Sequence, residues 1–172
     1  MNAFEISVIA IIGFLVIVVI INLFKEYQYM KIIESVKKTF ADCFHHGEIL
    51  EHNQEHFYHV EFKDGKTYLI KLVIMNPKHE LIITNSDNVV INDNVRGWQR
   101  STKPHTIFKM KEFIHYKKGD KSIIKIVLIY PNCHNITKYT NESDCYIVPE
   151  FKKVDGLYFI RYNQLINFLK KQ

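Results

Sequence analysis

Residues Ile6 to Phe24 read ISVIAIIGFLVIVVIINLF, an apolar run with no Asp, Glu, Lys, Arg or Pro, and its length decides how the rest of the chain is read. At helical rise it covers about 28 Å, close to the hydrocarbon thickness of a bilayer. A surface helix of a globular domain would carry a polar face at this length, and this run has none. Residues 1–24 are therefore expected to form an N-terminal transmembrane helix. A cleaved signal peptide would need a basic n-region, a shorter apolar stretch and a small-x-small cleavage site, none of which the sequence contains.

Working outward, Lys25, Lys31, Lys37 and Lys38 follow the run, whereas Met1 to Glu5 carries one acid and no Lys or Arg. Positive-inside bias then predicts a single-pass protein with its N-terminus outside and its C-terminal domain in the cytoplasm. The apolar residues Tyr29, Ile32, Ile33, Val36 and Phe40 recur at helical spacing, so residues 25–46 are expected to form a juxtamembrane helix that Gly47 stops. Residues 47–172 have the size of one ordinary soluble domain.

The net charge is +5, and Glu5 lies before the span, so the domain is more basic still. That charge suits anionic lipid, nucleic acid or an acidic protein partner. The pairs Lys117-Lys118, Lys152-Lys153 and Lys170-Lys171 fit solvated faces. Trp98, flanked by Arg96 and Arg100, fits a core or rim position and also a lipid-interface or base-stacking role. The chain has six glycines and neither a Walker loop, a dinucleotide fingerprint nor a Gly-x-Ser-x-Gly elbow, so no small-molecule substrate is indicated.

The three cysteines Cys43, Cys133 and Cys145 fit free thiols in a reducing compartment. An exported or virion-type surface protein is the alternative. A Cys133 to Cys145 disulfide would close the polar stretch PNCHNITKYTNESDC, and Asn135-Ile136-Thr137 and Asn141-Glu142-Ser143 match glycosylation acceptors.

Along the domain, FYHVEF and TYLIKLVIM around Asp64-Gly65 read as a hairpin. Asn76-Pro77 reads as a turn, and ELIIT and NVVIN read as short strands. Arg96 to Lys103 is loop-like. TIFKMKEFIHYKK is expected to be a helix ending at Gly119, with Ile107, Phe108, Met110, Phe113 and Ile114 on its buried side. SIIKIVLIY, ending at Pro131, reads as a buried strand, with CYIV and LYFIRY as two more. Asn163 would cap a closing helix, QLINFLKK, that buries Leu165, Ile166, Phe168 and Leu169. The expected class is α+β or α/β, one mixed-sheet domain flanked by helices behind a transmembrane helix.

This order of elements resembles the nuclease-related domain family over roughly Phe40 to Lys171, in TYLIKLVIMNPKHELIITN, RGWQ, KIVLIYP and YNQLINFLKK. The resemblance implies a restriction-endonuclease-like fold. Active members place an aspartate on one strand and Glu-x-Lys or Asp-x-Lys on the next, the carboxylates holding a divalent metal and the lysine positioning water. Aligned on those stretches, the aspartate position falls on Ile70, the second acidic position on Ile83 and the lysine position on Asn85. The resemblance thus implies a domain without catalysis by that mechanism and without a cofactor, acting as a binding or scaffold module at the membrane.

A metal-dependent nuclease is the alternative, through Glu61-Phe62-Lys63, with Glu48 and Glu51 as further ligands for Mg²⁺. Acid-x-Lys recurs at Asp64-x-Lys66 and Glu150-x-Lys152, about as often as composition predicts, and alternating charges on an exposed strand face explain Glu61 and Lys63 equally. A zinc site from Cys43, His52 and His56 would require Glu48 to Phe57 to be helical, so that the two histidines share a face. The ordinary reading of this stretch is a chance cluster of surface histidines.

Overall fold

A computed structural model of the chain describes residues 3–43, 48–52, 57–61, 66–85, 88–92, 106–116, 119–141 and 144–171. The chain forms two compact units, Met1–Asp42 and Cys43–Gln172.

The first unit is the helix α1, Ala3–Cys43. It passes through the Phe24/Lys25 boundary without a break, so the apolar run and the charged stretch after it form one rod about 60 Å long. With no proline and a lone glycine, Gly13, that has open space around it, nothing is present to kink it. From Ile11 to Phe24 its large apolar side chains are exposed, with Phe14 at 66% and Ile17 at 56%. The helix α1 is thus long and apolar enough to cross a membrane. Beyond it, the Lys31 ammonium lies 4.9 Å from the Tyr27 ring centre, one helical turn away.

The second unit runs β1 Glu48–His52, β2 Phe57–Glu61, β3 Thr67–Ile74, β4 Glu80–Asn85, β5 Asn88–Asn92, β6 Thr106–Lys109, α2 Lys111–His115, β7 Ile123–Tyr130, β8 Ile136–Tyr139, β9 Cys145–Ile147, β10 Lys153–Val154 and β11 Leu157–Arg161, then a 3-10 turn, Tyr162–Gln164, and α3 Leu165–Leu169. It is a mixed α and β domain built on two sheets, where the sequence suggested one. The first has the order β1-β2-β3-β7-β11-β10, and the second β6-β5-β4-β8-β9. The separation starts at Asn76, whose carbonyl accepts the amide of His79 (2.9 Å) and whose Oδ1 accepts that of Lys78 (3.0 Å). This turn sends the chain out of the first sheet before β4 begins.

The centre of the first sheet is parallel: Ile70 of β3 and Tyr158 of β11 both stand beside Ile126 of β7. Both faces of β3 and β7 are covered, which accounts for their nearly uninterrupted apolar sequences. On one face Leu69, Val73, Val127, Ile129 and Phe159 join a core with Leu81, Ile83, Val89 and Ile91 of the second sheet and with Met110 and Phe113 at α2. On the other, the Tyr158 and Phe168 rings pack 5.0 Å apart, which docks α3.

Several expectations are corrected. Thr106–Lys109, expected to begin a helix, is strand β6, and only Lys111–His115 is helical. Thr106, Ile107 and Phe108 are β-branched or aromatic and find a partner in β5 (Ile107 beside Val90, Phe108 beside Val89), which outweighs their helical spacing. Met110 and Phe113 are buried as expected. At the C-terminus Asn163 lies inside the 3-10 turn and caps nothing, the position before α3 is Gln164, and Ile166 is exposed. The polar stretch before Cys145 contains an unexpected strand, β8, parallel to β4. The Asp155-Gly156 turn between β10 and β11 was also missed. Its φ values of 49° and 85° fit the left-handed pair that a two-residue hairpin loop requires.

Candidate functional site

The positions implied by the nuclease resemblance are placed as follows. Ile70 is fully buried in β3, between Tyr58 of β2 and Ile126 of β7. Ile83 is buried in β4, and Asn85 closes that strand opposite Asn88, after a register shift. Ile70 thus belongs to the first sheet and the other two to the second. Neither isoleucine offers an oxygen, and both fill core with hydrocarbon.

Glu61 ends β2, with Glu48 of β1 and Thr67 of β3 as its register partners, and Lys63 lies outside the described residues. The zinc arrangement needs correction. His52 ends a β-strand, so the helix over Glu48 to Phe57 that was to bring His52 and His56 onto one face is not formed. His56 lies outside the described residues, and Cys43 is the last residue of α1. Among the described residues, no three His, Cys, Asp or Glu side chains converge on a point where a metal could sit. Gly47, Asp64-Gly65, Arg96 to Lys103 with Trp98, and Lys117-Lys118 also lie outside the described residues.

None of the three cysteines is in a disulfide: Cys133 is buried in the core and Cys145 is exposed on β9. Of the two glycosylation patterns, Asn135-Ile136-Thr137 has its threonine buried in β8. Asn141 is exposed and engaged with Asp144, donating from Nδ2 to Oδ2 (2.8 Å) and accepting the Asp144 amide at Oδ1 (2.7 Å).

A polar cluster that sequence reasoning did not find lies near the carboxyl ends of β7 and β11, the end of a parallel sheet where ligands commonly bind. Arg161, the last residue of β11, donates through Nε to the carbonyl of Cys133 (3.4 Å). The Cys133 amide is taken by Asn132 Oδ1 (2.8 Å). Burial pushes the Cys133 thiol above its usual range. The Arg161 charge and a hydrogen bond from it oppose the shift, and the Glu80 carboxylate adds to it. Thr137 Oγ1 in turn donates to Glu80. A thiol held protonated in this way is a poor nucleophile, so the cluster works as a tie between β4, β8, β11 and the segment after β7. Its members are far apart in sequence. The available signals were the charges Glu80 and Arg161 at the ends of otherwise apolar strands.

Comparison of the chain with family models, curated proteins and solved structures gives no match.

Proposed function

We propose that the chain is a single-pass membrane protein whose restriction-endonuclease-like cytoplasmic domain is a non-catalytic binding or scaffold module for a protein or nucleic-acid partner. The anchoring part of this reading is supported by the exposed apolar sleeve of α1, which is long enough to cross a bilayer. Lys25, Lys31, Lys37 and Lys38 support the cytoplasmic orientation through the positive-inside rule. Loss of catalysis is supported by the buried aliphatic residues Ile70 and Ile83, at positions where that mechanism needs carboxylates.

A membrane-impermeant maleimide applied to intact and lysed cells tests the orientation, because every cysteine follows the span. Labelling of exposed Cys145 only after lysis is the expected outcome. Labelling in intact cells reverses the topology and revives the exported reading. Salt-sensitive binding of DNA by the detergent-solubilised protein would make nucleic acid the partner.

The register pairing of Glu48 with Glu61 favours a second reading, a Mg²⁺-dependent nuclease acting through Glu61 and Lys63. Mg²⁺- or Mn²⁺-dependent cleavage of DNA that Glu61→Ala abolishes would establish it, and intact DNA at high enzyme concentration would remove it.

A further inference from the structure

An open cavity of about 430 Å³ lies near the amino end of β7, and three lysines line it: Lys121, Lys125 and Lys153. Its apolar floor comes from Ile114, Ile123 and Leu157. Lys125 is buried, and its ammonium donates to the carbonyl of Ile114 near the end of α2 (2.5 Å), which fixes a positive charge in the wall. Lys121 and Lys153 are exposed at the rim, where the Lys153 ammonium stands 5.7 Å from the Tyr158 ring centre.

Two aspartates also line the cavity, and both face other groups. Asp155 receives Lys138, which lies outside the cavity, at 2.6 Å. Asp120 accepts both the amide and the hydroxyl of Ser122, at 2.9 and 2.6 Å, in the turn that leads into β7. Among the described residues, Lys138 offsets Asp155 from outside the cavity, and the three lining lysines exceed the remaining carboxylate by two charges, which favours a dianion. Gly119 and Gly156 also border the cavity, each with open space where a side chain would stand, so a ligand can approach the backbone at both turns.

From this geometry we infer that the cavity binds a phosphomonoester. Lysines bind phosphate as point charges, the volume accommodates a phosphate with a small attached group, and the charge of such an ester balances the excess. This site is independent of the nuclease-type positions. The phosphate belongs either to a soluble metabolite or to a lipid headgroup such as phosphatidic acid.

The test uses the full-length chain in phosphatidylcholine nanodiscs, titrated calorimetrically with glycerol 3-phosphate. Saturable binding is expected, with Lys121→Gln/Lys153→Gln weakening it at least about tenfold. Lys170→Gln/Lys171→Gln, which removes the same charge elsewhere, should leave it unchanged. Affinity should also fall as pH drops below about 6, where the ester takes up its second proton. Nanodiscs doped with phosphatidic acid separate the two sources, since competition with the soluble ester assigns the site to lipid and undiminished binding assigns it to a metabolite. No saturation up to about 10 mM ligand, or equal loss in both double variants, overturns the proposal. A thermal melt of each variant confirms that the exposed substitutions leave the fold intact.

Discussion

The run Ile6 to Phe24 and the strand Ile123–Tyr130 use nearly the same residues, and the solvent they require is different. Ile17 in the first is 56% exposed, whereas Ile126 in the second is fully buried. β7 is short, is bounded by Ser122 and Pro131, and has β3 and β11 on either side to satisfy its backbone. The longer run satisfies its own backbone as a helix, its large apolar side chains are exposed among the described residues, and it is long and apolar enough to cross a membrane. Length and punctuation separate the two readings; hydrophobicity does not.

The largest expected effect comes from placing one charge in each region. Ile126→Asp buries a carboxylate between β3 and β11 and is expected to abolish folding of the domain, visible as loss of its cooperative melt. Ile17→Asp should leave that melt unchanged and weaken membrane insertion by about 3 kcal/mol, read by alkaline extraction of membranes. If Ile126→Asp folds normally, or if Ile17→Asp lowers the melt of the domain, the contrast drawn between the two runs is wrong.

Next in size is Phe168→Ala, which empties the ring contact between α3 and β11 and should cost about 3–5 kcal/mol in denaturant unfolding. Ile166→Ala, two residues away and exposed, should cost less than about 0.5 kcal/mol. Equal costs would mean that α3 docks by a different face. A smaller effect is expected from Gly156→Ala. The left-handed φ of 85° makes a side chain there costly by about 1–2 kcal/mol, although nothing crowds the added carbon.

These sites also mark what could be read from sequence. The pairing of β2 with β3, the strands β4, β5, β7 and β11, and the burial of Leu165 and Phe168 follow from alternation and apolar runs, because those signals are local. Thr106 to Lys109 was misread because Ile107, Phe108 and Met110 also satisfy helical spacing, and only the long-range partner β5 decides for strand. β8 escaped because ITKY is short and half polar, and its strand state depends on β4. The Cys133, Arg161 and Glu80 cluster and the lysine-lined cavity are products of topology. Lys125 and Lys153 come together only because β11 pairs in parallel with β7, which no motif encodes.

The smallest effect tests the cluster itself through pH. The thiol of Cys133 is raised above the ordinary value of 9.0 by burial, so in the folded state it keeps its proton at a pH where the unfolded chain releases it. Below that value both states are protonated and the group contributes no pH dependence. As pH rises through it, the unfolded state binds fewer protons than the folded one, and stability must fall. The wild-type chain should therefore lose stability at alkaline pH more steeply than Cys133→Ala, whose slope lacks this proton although its absolute stability is lower. Exposed Cys145 serves as the internal comparison, since Cys145→Ala should preserve the wild-type slope. Identical slopes for Cys133→Ala and wild type would mean that the Arg161 charge and hydrogen bond offset burial completely.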